Sequence, residues 1–467
     1  VSGRRQAPAA PRRRSERARG GRPDLLVVLA VLVPLLAVVL VLLGGGDPAG
    51  RPDTPASDSA LTRTTLVCPS AREDARSRVL VATTEPASGA VRAGRGEQET
   101  TLDLRPERTA SVTDPDTVPV TGEGDLAPGL VASRVETGPL AAADCLPGAA
   151  RAWFTGVGAG ARHSSVLELA NEGSGQAVVD VRVLGAGGPV EADDLLGVVV
   201  RGGETVRVDL SRTVPRRDEL ALEVTTTRGR ISATVLDQVD RLGRSEPSRD
   251  WLASQAEPDV RNVLLGLPGR APERELVLAN GGADEVRADV RLLSADSVFR
   301  PEGLDEVRVP PGGVTRVSLA GVLAAAEDEG VAGVQVDSTG PLTATLRSVS
   351  GGDLTSTVAG ATVGEVSALL VPAGPKSLVL GNADAVGVVE VTARDGAGKV
   401  LATERVEMAP DRASTVDLPR RAVQVVVDPR RTTVSGSVLV TGDGVATLSL
   451  RELDRAARVP DVRPGLP

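Results

Sequence analysis

The run "ELVLAN", residues 275–280, ends in one of only four asparagines in the chain, and two other runs end the same way: "VLELAN" at 166–171 and "SLVLGN" at 377–382. Three short apolar runs closed by the same rare residue mark an internal repeat. Aligned on the asparagine, "LELANEGSGQAVVDVRVL" runs parallel to "LVLANGGADEVRADVRLL" and to "LVLGNADAVGVVEVTAR". Each copy continues through a turn into a second alternating run, "ETVRVDL", "GVTRVSL" and "ASTVDL". The asparagines precede the closing Leu210, Leu319 and Leu418 by 39, 39 and 36 residues.

The apolar period within these runs is two. In "TVRVDL" Val206, Val208 and Leu210 fall on one face, and in "LALEV" so do Leu220, Leu222 and Val224. Alternation in Val, Leu and Thr, with Gly, Pro or Asp turns every eight to twelve residues, predicts antiparallel strands packed as β-sandwiches. No amphipathic helix intervenes to cross over parallel strands; "LAAAEDEG" at 323–330 predicts at most a short helical crossing. A more diverged copy precedes the three and closes with "GLVASRVETGPLAAADC". About seven strands in some ninety residues gives four tandem immunoglobulin-like or fibronectin-like units. Asn171, Asn280 and Asn382 are expected at turns, because Asn tolerates left-handed backbone and bonds the backbone beyond it.

Val, Leu and Ala dominate the apolar set, with one Ile, two Phe, two Trp and no Tyr. Residues 1–24 carry eight arginines against Glu16 and Asp24, a net of +6, so the rest of the chain holds −15 of the total −9. The uncharged run Leu25–Leu43 follows. As a helix it would extend about 28 Å, close to a bilayer's hydrocarbon thickness. A cleaved signal peptide would need a shorter apolar core and a small-x-small site, which "LLGGGDPAG" does not offer. Arginines on one flank predict a cytoplasmic N-terminus and extracytoplasmic domains at the cell membrane. The tail has no interleaved aromatics, so lipid headgroups rather than nucleic acid account for its charge.

The resulting layout is a basic tail 1–24, a transmembrane helix 25–43, a flexible stalk 44–62, and sandwiches at 63–149, 150–242, 260–350 and 366–455. Linkers are expected at 243–259 and 351–365, and a C-terminal tail at 456–467. The stretches "AWFTGVGAGARHSSVLELANEG", "DWLASQAEPDVRNVLLGLPG", "ELVLANGGADEVRADVRLL" and "GLDEVRVPPGGVTRVSL" resemble an actinobacterial family of membrane-anchored extracytoplasmic proteins, domain of unknown function 5719. The resemblance covers approximately residues 65–455. It implies the same layout of anchor then repeats, and no activity.

Candidate chemistry is sparse. His163, the sole histidine, sits in "GARHSS" and reads as an exposed loop residue; no nucleophile-elbow pattern accompanies it. "GVGAGA" at 156–161 precedes a strand, not the helix N-terminus that phosphate binding needs. The acidic clusters at Asp114–Asp116, Glu191–Asp194 and Glu327–Glu329 lack calcium-loop spacing and read as solvated surface. One His and two distant cysteines do not make a zinc site. No catalytic residue, cofactor or metal ligand is assigned. Trp153 and Trp251 are expected to wedge between neighbouring domains and stiffen a rod. Cys68 in the first strand of the first domain and Cys145 at the end of its last strand have one intramolecular connectivity, a disulfide suited to an oxidising compartment. The functional expectation is a non-enzymatic scaffold or binding module of the envelope, facing an envelope protein or wall glycan. The alternatives are an accessory subunit of an envelope-polysaccharide enzyme and, remotely, a hydrolase. Oligomeric state is not legible.

Overall fold

In the computed structural model the repeat resolves into four copies of one strand order. The structure describes residues 57–459 other than 74, 244, 245 and 256, together with residues 32 and 35. Copy 2 sets the pattern. One sheet runs Arg151–Val157, Leu220–Arg228, Ala177–Gly185, Gly188–Val190, and the facing sheet runs Thr205–Asp209, His163–Ala170, Ser232–Val239, Ser248–Leu252. All pairings are antiparallel. Phe154 and Leu222 from one sheet meet Leu167, Leu169 and Val235 from the other in a single buried cluster.

Copy 4 repeats the order with Ser367–Leu370, Gln424–Arg430, Gly387–Arg394, Val400–Met408 facing Ser414–Leu418, Lys376–Gly381, Ser435–Gly442, Gly444–Ser449. Copy 1 does so with Arg63–Cys68, Val118–Glu123, Gly89–Ala93, Thr100–Leu104 facing Ala110–Val112, Arg76–Thr83, Leu130–Thr137, Ala141–Asp144. In copy 3 two strands fuse. Gly333–Ser350 pairs through residues 333–342 with Asp259–Leu265 in one sheet, and through 343–349 with Glu273–Ala279 in the other. Gly340–Pro341 lies at the change of sheet. The short helix Ala320–Ala325 crosses from one sheet to the other, beginning three residues before the predicted 323–330.

The segments 243–259 and 351–365, read above as linkers, each contain a strand. Ser248–Leu252 pairs with Ser232–Val239, and Asp353–Val358 pairs with Thr345–Ser350. Their charged and hydroxyl residues disguise them in the sequence, yet Trp251, Leu252, Leu354 and Val358 are buried. Every copy therefore ends on such a terminal strand: Ala141–Asp144, Ser248–Leu252, Asp353–Val358 and Gly444–Ser449.

Contacts divide the chain into residues 59–457 and a second unit made of its two ends, 1–58 with 458–467. Among the described residues no helix is long and apolar enough to cross a membrane. The run 25–43 lies outside them except for Leu32 and Leu35, which are helical and exposed. The basic tail 1–24, residues 44–56 of the stalk and residues 460–467 also lie outside. The last stalk residues form the strand Ser57–Ala60, which pairs with Ala456–Val459.

Within 59–457 the copies do not form a rod. Each packs on the next, and copy 4 packs on copy 1: Leu80, Val131, Val135 and Leu140 of copy 1 belong to the same buried cluster as Leu369, Val440 and Leu448 of copy 4. The four copies close into a ring. Small Val, Leu and Ala cores explain why the faces between copies are needed. A sandwich with few aromatics buries little apolar area of its own, at roughly 25 cal/mol per Å2.

Candidate functional site

Cys68 and Cys145 are fully buried and joined, with Cα atoms 4.1 Å apart. Cys145 lies where the chain leaves the terminal strand Ala141–Asp144. It then returns as Leu146–Pro147 to pair with Arg63–Cys68. The bond ties the two sheets of copy 1 at the point where copy 2 begins.

Asn171 and Asn280 occupy matching turns. Asn171 donates through Nδ2 to the carbonyls of Gly175 and Val200, and its Oδ1 accepts from the Gly173 amide at 2.8 Å. Asn280 donates to the Asp284 and Val309 carbonyls and accepts from Gly282. Each side chain staples the turn to the strand beyond it. Asn382 departs from this pattern. Its backbone is left-handed, with φ of +54°, and its Nδ2 donates to Ser435 Oγ at 3.2 Å.

The tryptophans lie at joints between copies. Trp153 is buried with Leu184 and Ala221 of copy 2 against Val277, Ala279 and Val314 of copy 3. Trp251 lies under the Arg72 guanidinium of copy 1, 5.7 Å from its ring centroid, a cation–π contact. Arg72 also donates to Glu136 and to the carbonyls of Pro139 and Arg249. Beside it Asp353 accepts from Ser248 Oγ of copy 2 and from the Val445 amide of copy 4. These groups gather all four copies around the terminal strands. Burial pushes the Asp250 carboxyl well above its ordinary value; Arg72 pulls it down, while Asp353 and Asp237 push it further up.

His163 is not an exposed loop residue. It opens the strand His163–Ala170, is 7% exposed, and faces copy 3. Its Nε2 lies 2.9 Å from Asp237 Oδ1. Its Nδ1 lies 3.0 Å both from the Asp218 carbonyl and from Arg347 Nη1. Arg347 in turn pairs with Glu219. Alternation along the strand hid this burial, because the sequence gives no sign that a second copy covers the edge. Ser165 Oγ donates to Asp237, so the carboxylate sits between serine and imidazole. A hydrolytic triad places the imidazole between the other two, and these contacts do not provide that relay.

At the joint between copies 1 and 2, Glu168 accepts from Ser70 N, Ser70 Oγ, Thr117 Oγ1 and Arg207 Nε. Burial opposes its ionisation, but the bonds from Ser70, Arg207 and Thr117 outweigh that and hold its pKa below the ordinary carboxylate range. Asp114 is buried too, contrary to a solvated cluster: its carbonyl and that of Asp116 accept from the fully buried Arg134 guanidinium. Glu191, Asp193 and Asp194 are exposed, as are Glu327, Asp328 and Glu329. Among the described residues no group of three or more His, Cys, Asp or Glu is arranged to hold a metal ion. "GVGAGA" forms a turn in which the Gly158 amide donates to Ser165 Oγ, and it leads into a strand.

Around the terminal strands lies a cavity of about 450 Å3, lined by residues of all four copies. Nothing in the sequence singles it out, since each copy contributes a different short segment. The closed arrangement of repeats defines an all-β repeat protein with a shared, partly open cavity. The chain belongs to the family of unknown function DUF5719, whose model matches residues 107–419. That stretch takes copies 2 and 3 whole and cuts into copies 1 and 4. No curated protein matches the chain in sequence.

Proposed function

We propose that the chain is a non-enzymatic binding and scaffold body of the cell envelope, held at the membrane by residues 25–43 with the ring outside the cytoplasm. In this reading the copies are immunoglobulin-like sandwiches, and the partner is an envelope protein or wall glycan. The Cys68–Cys145 bond carries the location, because such bonds persist in oxidising compartments and are rare in reducing ones. The spending of buried polar groups supports a scaffold. Glu168, Arg347, Arg72 and Asp353 all hold one copy to another rather than converging on a solvent-reachable reacting centre.

The location is tested by reporter fusions after residue 50. They are expected to be active only outside the cytoplasm, and cytoplasmic activity would overturn the anchor. Crosslinking the intact chain in its native membrane, followed by mass spectrometry, is expected to recover an envelope protein or glycan on the ring. Recovery of cytoplasmic proteins alone would refute the scaffold reading.

A further inference from the structure

We propose that the cavity at the centre of the ring is a binding site for a neutral oligosaccharide of two or three rings. Its volume, about 450 Å3, falls within the range of small-molecule sites. The wall is mixed in character. Ala142, Ala233, Val358 and Ala359 give it small apolar surfaces that leave room at the axis. Thr234, Ser254, Thr362 and Asn382 line it as well, and among the described residues their hydroxyls and the Asn382 Oδ1 have no hydrogen-bond partner.

The charges at the cavity are of both signs, and two of them are in ion pairs. Arg261 pairs with Asp337 at 2.8 Å, and Glu257 pairs with Arg151 at 3.4 Å. Asp144 accepts from Ser133 Oγ, and burial raises its pKa against the pull of Arg451. Arg451 and Asp144 are of opposite sign, and Asp259 accepts only from the Arg261 amide, so no cluster of like charge selects a charged ligand there. A purely apolar one would strip water from the hydroxyls and the amide without replacing their hydrogen bonds. Sugar rings, with apolar C–H faces and a rim of hydroxyls, match both halves of the wall. The aperture is reached past Ala253, Ala361 and Thr362, all exposed. Because each copy supplies part of the wall, occupancy would also stabilise the closed ring by mass action.

This deepens the binding reading above, and its test is independent of location. The full chain in detergent micelles is titrated calorimetrically with maltotriose, cellotriose and chitotriose, with trigalacturonate as the charged probe and a trialanine peptide as the peptide probe. At least one neutral trimer is expected to bind with a Kd below about 1 mM and to raise the unfolding temperature. Ala253→Trp and Ala361→Trp, which fill the aperture from two separate segments, are expected to weaken that binding at least tenfold without lowering the unfolding temperature. Should either variant fail to fold, Asn382→Ala supplies a non-bulky arm expected to weaken binding severalfold. The proposal is overturned if no neutral trimer binds, if trigalacturonate or the peptide binds more tightly, or if the folded variants bind as the parent does. A ring that meets the reporter and crosslinking tests yet ignores the sugars would sink this inference alone.

Discussion

The joint between copies 1 and 2 and the joint between copies 4 and 1 hold similar faces together by different means. At the first, Glu168, Arg207, Arg95 and Glu172 combine with Ser70 and Thr117 in a charged network. At the second, Leu80, Val131, Val135 and Leu140 merge into copy 4's own core, flanked by the ion pairs Arg394–Glu107 and Arg455–Glu85 and by backbone bonds from Thr109, Gly129 and Leu140 to the Gly396, Asp454 and Asp443 carbonyls. Loop entropy does not explain the contrast. Bringing together segments three to four times further apart in sequence costs about 1 kcal/mol more. The contrast is one of balance: the first joint rests mainly on charge-assisted bonds, which demand distance and angle, and the closing joint mainly on apolar burial, which is non-directional.

The largest effect is expected within copy 1, which contributes to both joints. Replacing Cys68 and Cys145 together by Ser removes a crosslink spanning 77 residues, worth about 4 kcal/mol by loop length. Urea unfolding of the double variant is expected to show that loss. A shift below about 1 kcal/mol would mean that the ring, rather than the bond, holds copy 1. Next is Arg347→Met at the joint between copies 2 and 3. It removes both Arg347 hydrogen bonds to Glu219, which is half-buried and keeps only Arg316 at 3.4 Å, at a cost of about 3 kcal/mol. The same substitution at exposed Arg405, which pairs with Glu390, is expected to change little.

The comparison of joints is sharpened by two milder substitutions. Leu140→Ala at the closing joint is expected to cost about 2 to 3 kcal/mol, the deleted methyl groups plus the cavity left behind. Thr117→Val at the first joint removes one hydrogen bond to Glu168 and is expected to cost about 1.5 kcal/mol. Added salt is expected to weaken the first joint more than the closing one, read as hydrogen-exchange protection on either side. Equal salt sensitivity would refute the division of labour.

Much of the fold is legible in the sequence. Period-two alternation in "TVRVDL" and the asparagine after "ELVLA" follow from strand geometry and turn chemistry, which are local. The cysteines needed only the knowledge that a sandwich's first and last strands lie near each other. What stayed hidden is what depends on a second copy. Leu140 lies in the turn before the strand Ala141–Asp144, and nothing in "TGPLAAAD" says that the neighbour burying it lies some three hundred residues further on. "SRDWL" reads as a linker because Asp250 and Arg249 break its apolar pattern; Arg249 bonds Gln238 of its own copy, while the charge opposing Asp250 is Arg72 of copy 1. The cavity was invisible for the same reason: it is a property of the closed ring, while each wall segment is ordinary alone.

The smallest effect separates two joints by acidity. Glu168 has its pKa depressed on folding, so its contribution is present above the ordinary carboxylate value and lost as pH falls through the lower folded one. His163, between copies 2 and 3, behaves oppositely. Burial opposes its charge most, but the Asp237 carboxylate and its hydrogen bond outweigh that. Arg347 pulls the pKa down and Glu219 pushes it up, and the balance lies above the ordinary value. Protonated, the ring donates Nε2–H to Asp237 and Nδ1–H to the Asp218 carbonyl; neutral, it exchanges the second bond for one from Arg347. The stabilisation from charging is therefore complete below about pH 6.5 and fades as pH rises through the folded value. Unfolding free energy measured from pH 6 to 9 is expected to decline gently in the parent and to stay flatter in His163→Gln. Hydrogen exchange is expected to place the loss at the strands His163–Ala170 and Ser232–Val239. A decline of the same slope in both proteins would assign it elsewhere and leave His163 a neutral packing residue.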